Sequence, residues 1–196
     1  MLTDFRDRIA LLEYINSRYA GGVGVEVGVA AGHFSKQVIY TWKTCGEFYC
    51  VDLWEKQEDG YKDGCNRSSE SQNATYHEVI KDFAPYPKVK IIKNWSHEAV
   101  KSFQDQFFDF IYIDANHSYK ASLEDMRMWY PKLKVGGIMA GHDYLDGPEE
   151  SYGVKKAADE FAASNGLRLH KTINDKASEN ALWPGSWEGC SWIVTK

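Results

Sequence analysis

Apolar residues gather along this chain in short runs separated by stretches of helical periodicity. The runs Val23–Val27 (VGVEV), Phe48–Leu53 (FYCVDL), Val89–Lys93 (VKIIK), Phe108–Asp114 (FDFIYID) and Gly136–Gly141 (GGIMAG) are four to eight residues long, bounded by glycine or polar clusters, and read as strands. A shorter strand around Leu167–His170 and a closing one in SWIVTK bring the number to seven. Between them the spacing predicts helices over His33–Trp42, Ala74–Phe83, His97–Phe103, Leu123–Tyr130 and Val154–Ala163, after an opening amphipathic helix in MLTDFRDRIALLEY. Strands alternating with helices predict an α/β fold, Rossmann-like and doubly wound, whose mostly parallel seven-stranded sheet has helices on both faces.

Two polar stretches break the alternation. Trp54–Asn73 carries many charges, glycines and serines and reads as a lid-like insertion that is mobile until the site is occupied. Thr172–Gly189, rich in Asn, Gly, Trp and Pro, is a second candidate wall for a site. Otherwise the 196 residues, 43% hydrophobic, suit a single domain over 1–196 with one core. The net charge of −5 argues against a general grip on nucleic acid. No apolar run approaches the roughly 20 residues that span a bilayer, so a soluble, unprocessed, cytoplasmic protein is expected, with no membrane partner. The cysteines Cys45, Cys50, Cys65 and Cys190 lack zinc-ligand spacing and read as reduced thiols, Cys50 as a small buried hydrophobe.

In an open parallel sheet, ligands bind at the carboxyl ends of the strands where the strand order reverses. The first strand ends in Glu26, and Gly28 and Gly32 then lead into a helix, so backbone can approach a ligand closely. Asp52, followed by Leu53, ends the second strand, placed to accept hydrogen bonds from a ribose diol. The overlapping pattern of Gly22, Gly24 and Gly28 is a decoy, because its first glycines fall before and inside the strand.

The segment EVGVAAG resembles motif I of class I methyltransferases, and Phe108–Tyr144 resembles a family of small methyltransferases whose fourth strand ends in DxxHxY and whose fifth ends in GHDY. The resemblance implies S-adenosylmethionine as cofactor. Glu26 would then accept from its amino-acid end, Gly28 and Gly32 shape the loop, Asp52 and Leu53 meet the ribose, Trp95 and Ser96 the adenine, and Asp114 closes the pocket. In the related catechol-type O-methyltransferases an Asp ending strand four ligates a divalent cation, and a Lys three residues on takes the hydroxyl proton. Those places hold Asp114 and His117 here, and macrolide-sugar methyltransferases are similar in having the His. A neutral imidazole suits a general base.

The resemblance thus implies His117 and Asp143 as catalytic residues, and Asp114, His142 and Asp143 as ligands of Mg²⁺ or Mn²⁺. Asp143 matches the family's ligand position. His142 departs from it, since Mg²⁺ prefers oxygen whereas a His favours a transition metal. Without a metal, Asp143 would orient His117 or touch the substrate. The expected acceptor is a hydroxyl of a small molecule or sugar, for which the loop aromatics Trp54, Tyr61, Trp183 and Trp187 are suited, and a homodimer is a further expectation. His33, His77, His97 and His170 read as structural or solvent-facing. Two rivals stay open: an NAD-dependent oxidoreductase or epimerase, supported by Asp52 after the glycine loop, and a non-catalytic module acting through its aromatic loops.

Overall fold

A computed structural model describes residues 3–57, 61, 63–145, 147, 152–173 and 190–196. Among these, β1 (Val23–Val27), β2 (Glu47–Asp52), β3 (Val89–Lys93), β4 (Phe108–Ile113), β5 (Leu133–Tyr144), β6 (His170–Lys171) and β7 (Cys190–Thr195) form one sheet in the order β3-β2-β1-β4-β5-β7-β6. The first five strands run parallel, and β7 is antiparallel to both β5 and β6. The helices are α1 (Arg8–Arg18), α2 (His33–Thr41), α3 (Ser69–Phe83), α4 (Ser96–Ala99, continued by a 3-10 turn over Val100–Ser102), α5 (Tyr119–Trp129) and α6 (Val154–Ser164). No helix among the described residues is long and apolar enough to cross a membrane.

Strand side chains alternate between two cores, which explains why the strands are apolar on both faces. In β4, Phe110 and Tyr112 pack with α1, α2 and α3, whereas Ile111 and Ile113 pack with α4, α5 and α6; Phe108, across a register shift at the start of the strand, joins the second core. The doubly wound three-layer architecture expected from the sequence is therefore present.

Local chemistry accounts for the boundaries that differ from expectation. Helix α3 starts at Ser69 rather than Ala74, because the Ser68 side chain accepts from the Ser71 amide and caps it. Strand β5 runs on to Tyr144 and so carries His142 and Asp143 within it. Strand β6 starts at His170 rather than Leu167, because the Leu167 amide turns back to the Ala162 carbonyl at the end of α6. Of the second polar stretch, residues 174–189 lie outside the described residues.

Strand β1 is flanked by β2 and β4, so the order reverses there, and a crevice opens at the carboxyl ends of β1 and β4. Its floor is a close backbone approach. The Asp114 amide donates to the Val27 carbonyl at 2.7 Å, and a Cβ at Gly28 would lie 2.0 Å from the Asp114 carbonyl oxygen. Gly28 also has φ +90°, a conformation disfavoured for residues with a Cβ. Gly28→Ala is therefore expected to cost more than about 3 kcal/mol in thermal or urea unfolding, from overpacking and backbone strain together. A loss below about 1 kcal/mol would show that the crevice floor yields easily.

Candidate active site

On the β1–β2 side, the carboxylate of Asp52 organises the glycine loop. Its Oδ2 accepts from the amides of Val29 (2.7 Å) and Ala30 (2.8 Å), and its Oδ1 accepts from the amide of Trp54 (2.8 Å). The Trp54 indole donates to the Ala30 carbonyl at 2.9 Å and is almost fully buried. These bonds hold Ala30 and Trp54 at positive φ, an unusual conformation for side-chain-bearing residues. The sequence offered Trp54 as a face for a sugar, and burial removes it from that role. Leu53 beside it is half-buried. Glu26 lies beneath the first turn of α2, where the Ser35 hydroxyl donates to it. Burial pushes its carboxyl well above the usual range, and although the Ser35 bond opposes this, the charges of Asp114 and Asp52 add to it.

Across the crevice, Asp114 follows β4 and His117 lies in the turn before α5, where Ser118 caps the helix by accepting from the Ala121 amide. The His117 ring is held on both sides. Nε2 is 3.3 Å from Asp114 Oδ1 and 3.3 Å from Asp143 Oδ2, while Nδ1 is 3.0 Å from Asp63 Oδ2. Burial disfavours the imidazolium, but the bonds to Asp114 and Asp63 and the charge of Asp143 outweigh it and raise His117 to about 10. Asp63 is pushed down to about 2, because the bonds from His117 and the Cys65 amide overcome its burial.

Asp143 owes its direction to an irregularity in the sheet. The β5–β7 register shifts between Gly141 and Tyr144, and Asp143 adopts φ +52°. Bulges of this kind turn a side chain away from its regular alternation. His142 joins the cluster through Nδ1, 3.1 Å from Asp143 Oδ1 and 3.9 Å from Asp114 Oδ1. Its Nε2 and the Trp192 indole nitrogen are buried without a hydrogen-bond partner among the described residues, and both side chains line a cavity of about 10 Å³.

Asp114, His117 and Asp143 offer ligand atoms that all lie within 4.8 Å of one another, so a single divalent ion can reach all three. With Asp63 the cluster sets three carboxylates against two imidazoles and stays net negative even when both rings are charged. The donor set thus fits a cation. The sequence pointed to Asp114, His117, His142 and Asp143, and the fold brings them together.

Asp63 was not singled out in the sequence. It belongs to the loop after β2, whose described residues dock on the DxxH turn: Asn116 Nδ2 donates to Gln57 Oε1 (3.1 Å) and the His117 amide donates to the Tyr61 hydroxyl (3.2 Å). The exposed Tyr152 ring also lies parallel to His117, with centroids 5.8 Å apart. Nothing in the sequence distinguished Asp63 from the other acids of its loop, whereas Tyr61 was visible as one of the aromatics there. His33, His77 and His97 are exposed, and His170 is buried 3.5 Å from Asp4, all apart from the cluster.

A parallel sheet of this order with an antiparallel β7, a glycine loop after β1 and acidic residues ending β1, β2 and β4 defines the class I methyltransferase fold. Residues 25–144, well over half of the chain, match a family described as a methyltransferase domain, and the chain belongs to that family. Similar solved structures include an O-methyltransferase from Bacillus cereus in complex with SAH (13% identity, TM-score 0.64, covering 96% of this chain and 80% of that one). Others are an SAH-bound methyltransferase from Podospora anserina (14%, 0.59, 96% and 78%) and a precorrin-6y C5,15-methyltransferase from Geobacter metallireducens (12%, 0.65, 96% and 87%). No curated protein matches the chain by sequence.

At the end of β3, Trp95 is exposed beside His97, whereas the Ser96 side chain is committed to the core. The Ser96 hydroxyl donates to Asp125 at 2.5 Å and accepts from the Trp129 indole at 2.8 Å. Burial raises Asp125 to about 7, with the Ser96 bond opposing. A carboxyl raised in this way lends stability that is fully present below its unfolded value, near pH 4, and is lost as pH rises through about 7. Asp125→Asn keeps the shape without the charge. The wild type is expected to lose up to a few kcal/mol relative to Asp125→Asn between about pH 4 and pH 8 in paired denaturation curves. Parallel curves would mean that Asp125 ionises in place without cost.

Proposed function

We propose that this protein transfers the methyl group of S-adenosylmethionine to a hydroxyl of a small molecule or sugar, with His117 as the proton acceptor. The observation that carries this reading is the contact between the two halves of the crevice. Gly28, in the glycine loop, packs on the backbone of Asp114, and the Asp114 carboxylate faces Nε2 of His117. A donor held on the loop would lie beside the group that deprotonates the acceptor.

In this reading the ammonium of the donor's amino-acid end approaches Glu26 and gives that buried carboxyl a counter-charge. Asp52 and Leu53 border the ribose, and the exposed face of Trp95 is available to stack on adenine, with the Ser96 backbone beside it. The reaction is an in-line displacement: the acceptor oxygen bonds to the methyl carbon, the carbon–sulfur bond breaks, and neutral S-adenosylhomocysteine leaves. The hydroxyl proton passes to His117 Nε2. Alignment and proton transfer are the protein's contributions.

Asp114 and Asp143 would hold a divalent cation, with His117 Nε2 and His142 Nδ1 both facing Asp114 Oδ1 and each facing a different oxygen of Asp143. Bound there, Mg²⁺ or Mn²⁺ supplies positive charge that acidifies a nearby hydroxyl and replaces the imidazolium proton as counter-charge to the carboxylates. That replacement matters because a ring held at about 10 already carries its proton at neutral pH. Loss of that proton, which frees His117 to accept another, is favoured by any positive charge brought to the carboxylates, the sulfonium and ammonium of the donor included.

Separate calorimetric titrations with S-adenosylhomocysteine and NAD test the donor. Binding of the first alone is expected, and binding of NAD alone would overturn the reading. The acceptor side is tested by screening sugars and phenols with methyl-labelled donor. With any acceptor found, His117→Ala should lower the rate by about 10²–10⁴, and a chelator should abolish turnover until Mg²⁺ or Mn²⁺ is restored. Asp143→Ala should remove Mn²⁺ binding, read by electron paramagnetic resonance, while S-adenosylhomocysteine binds as before. Turnover that survives chelation but not His117→Ala would discard the cation and leave the base.

A further inference from the structure

The Nε2 edge of His117 faces Asp114 and Asp143, which follow β4 and end β5. The opposite edge meets a residue from neither strand. Asp63 comes from the loop after β2, more than fifty positions away in sequence, and places Oδ2 at 3.0 Å from Nδ1. Its other oxygen accepts from the Cys65 amide at 2.6 Å, so the carboxylate is fixed at both ends, and its side chain is only 3% exposed. The His117 backbone is pinned as well: its amide donates to the Tyr61 hydroxyl, and its carbonyl accepts from the Gly153 amide at 2.8 Å.

An imidazole with two distinct nitrogens needs a partner on one of them to define what the other can do. Asp114 and Asp143 both lie on the Nε2 side, so the partner of Nδ1 is Asp63. We propose that Asp63 is the positioning residue of His117: its carboxylate takes the Nδ1–H bond, so that the proton the ring gains and loses is the one on Nε2, on the side of Asp114 and Asp143. This rests on the reading of His117 as proton acceptor, and it extends that reading to the loop. The same loop begins at Asp52 and Trp54, which hold the glycine loop, so one segment secures both the donor side and the orientation of the base. The site is complete only with this loop docked.

The experiment compares wild type with Asp63→Ala, Asp63→Asn and Asp63→Glu by nuclear magnetic resonance of the labelled His117 ring, and needs no acceptor. In the wild type the Nδ1 proton is expected as a downfield resonance protected from exchange. Asp63→Ala should speed its exchange at least about tenfold or erase it, and Asp63→Glu should restore it. Asp63→Asn, nearly isosteric, covers the case in which the alanine variant fails to fold, and in it the Nδ1 proton should exchange several-fold faster than in the wild type, because the bond loses its charge. A protected Nδ1 proton in Asp63→Ala, or wild-type exchange of that proton in Asp63→Asn, would overturn the proposal. Binding of S-adenosylhomocysteine, measured on the same samples, reports on the donor separately. Its failure in the wild type would sink the proposed reaction while the ring resonances still judge Asp63.

Discussion

The closest constraint in the molecule is the approach of the β1 loop to the end of β4, where the Gly28 backbone leaves no room for a Cβ against the Asp114 carbonyl. Everything at the crevice is placed relative to that contact. It sets the start of α2 above Glu26, fixes where Asp114 leaves the sheet, and, three residues on, places the His117 ring between Asp114 and Asp63. A side chain at position 28 would have to push the two halves of the crevice apart to relieve its 2.0 Å approach to the Asp114 carbonyl oxygen. The chemistry proposed here works only when donor and acceptor sit within van der Waals reach.

Charge governs the second level of organisation. Three carboxylates and two imidazoles are packed where water has limited access, and Asp63, Asp114, His117 and His142 are each shifted by their neighbours against their own burial. His117 rises to about 10 although burial pulls the other way, and Asp63 falls to about 2 although burial would raise it. Asp114 is also lowered against its burial, by His142 and His117. Such a cluster is stable as a unit and costly to break singly, because removing one partner leaves a buried charge uncompensated. It also has excess negative charge, which suits a cation.

The fold was legible because its signals are local and repeated. Each strand of FDFIYID type is apolar on both faces, and each helix carries one apolar stripe, so the alternation of β and α reads directly from the residues. Half of the site was legible for the same reason. Glu26, Asp52, Asp114, His142 and Asp143 occur at strand ends, where the topology dictates that ligands gather. Asp63 and Tyr61 were not legible as partners of His117, since a contact between residues 54 positions apart leaves no periodic trace, and the acids of the loop look alike in sequence. The capping serine at position 68 was a readable signal that α3 begins early. The role of Trp54 was misjudged because a tryptophan in a polar stretch gives no hint that its indole will close over Ala30.

The loop after β2 shows how a segment with few apolar residues can still dock. Hydrophobic burial holds it mainly at Trp54, and beyond that point its described contacts are polar: Gln57 to Asn116, Tyr61 to the His117 amide, Asp63 to the His117 ring. Apolar burial is nearly independent of charge, but a carboxylate–imidazole bond depends on which protons and cations occupy the cluster. When His117 carries a proton, Asp63 is drawn to it by a full charge. When the ring is neutral, the hydrogen bond remains without that attraction, and the hold on the loop weakens. The far end of the loop is thus held by polar bonds to the turn that carries His117, and its near end by Asp52 and Trp54.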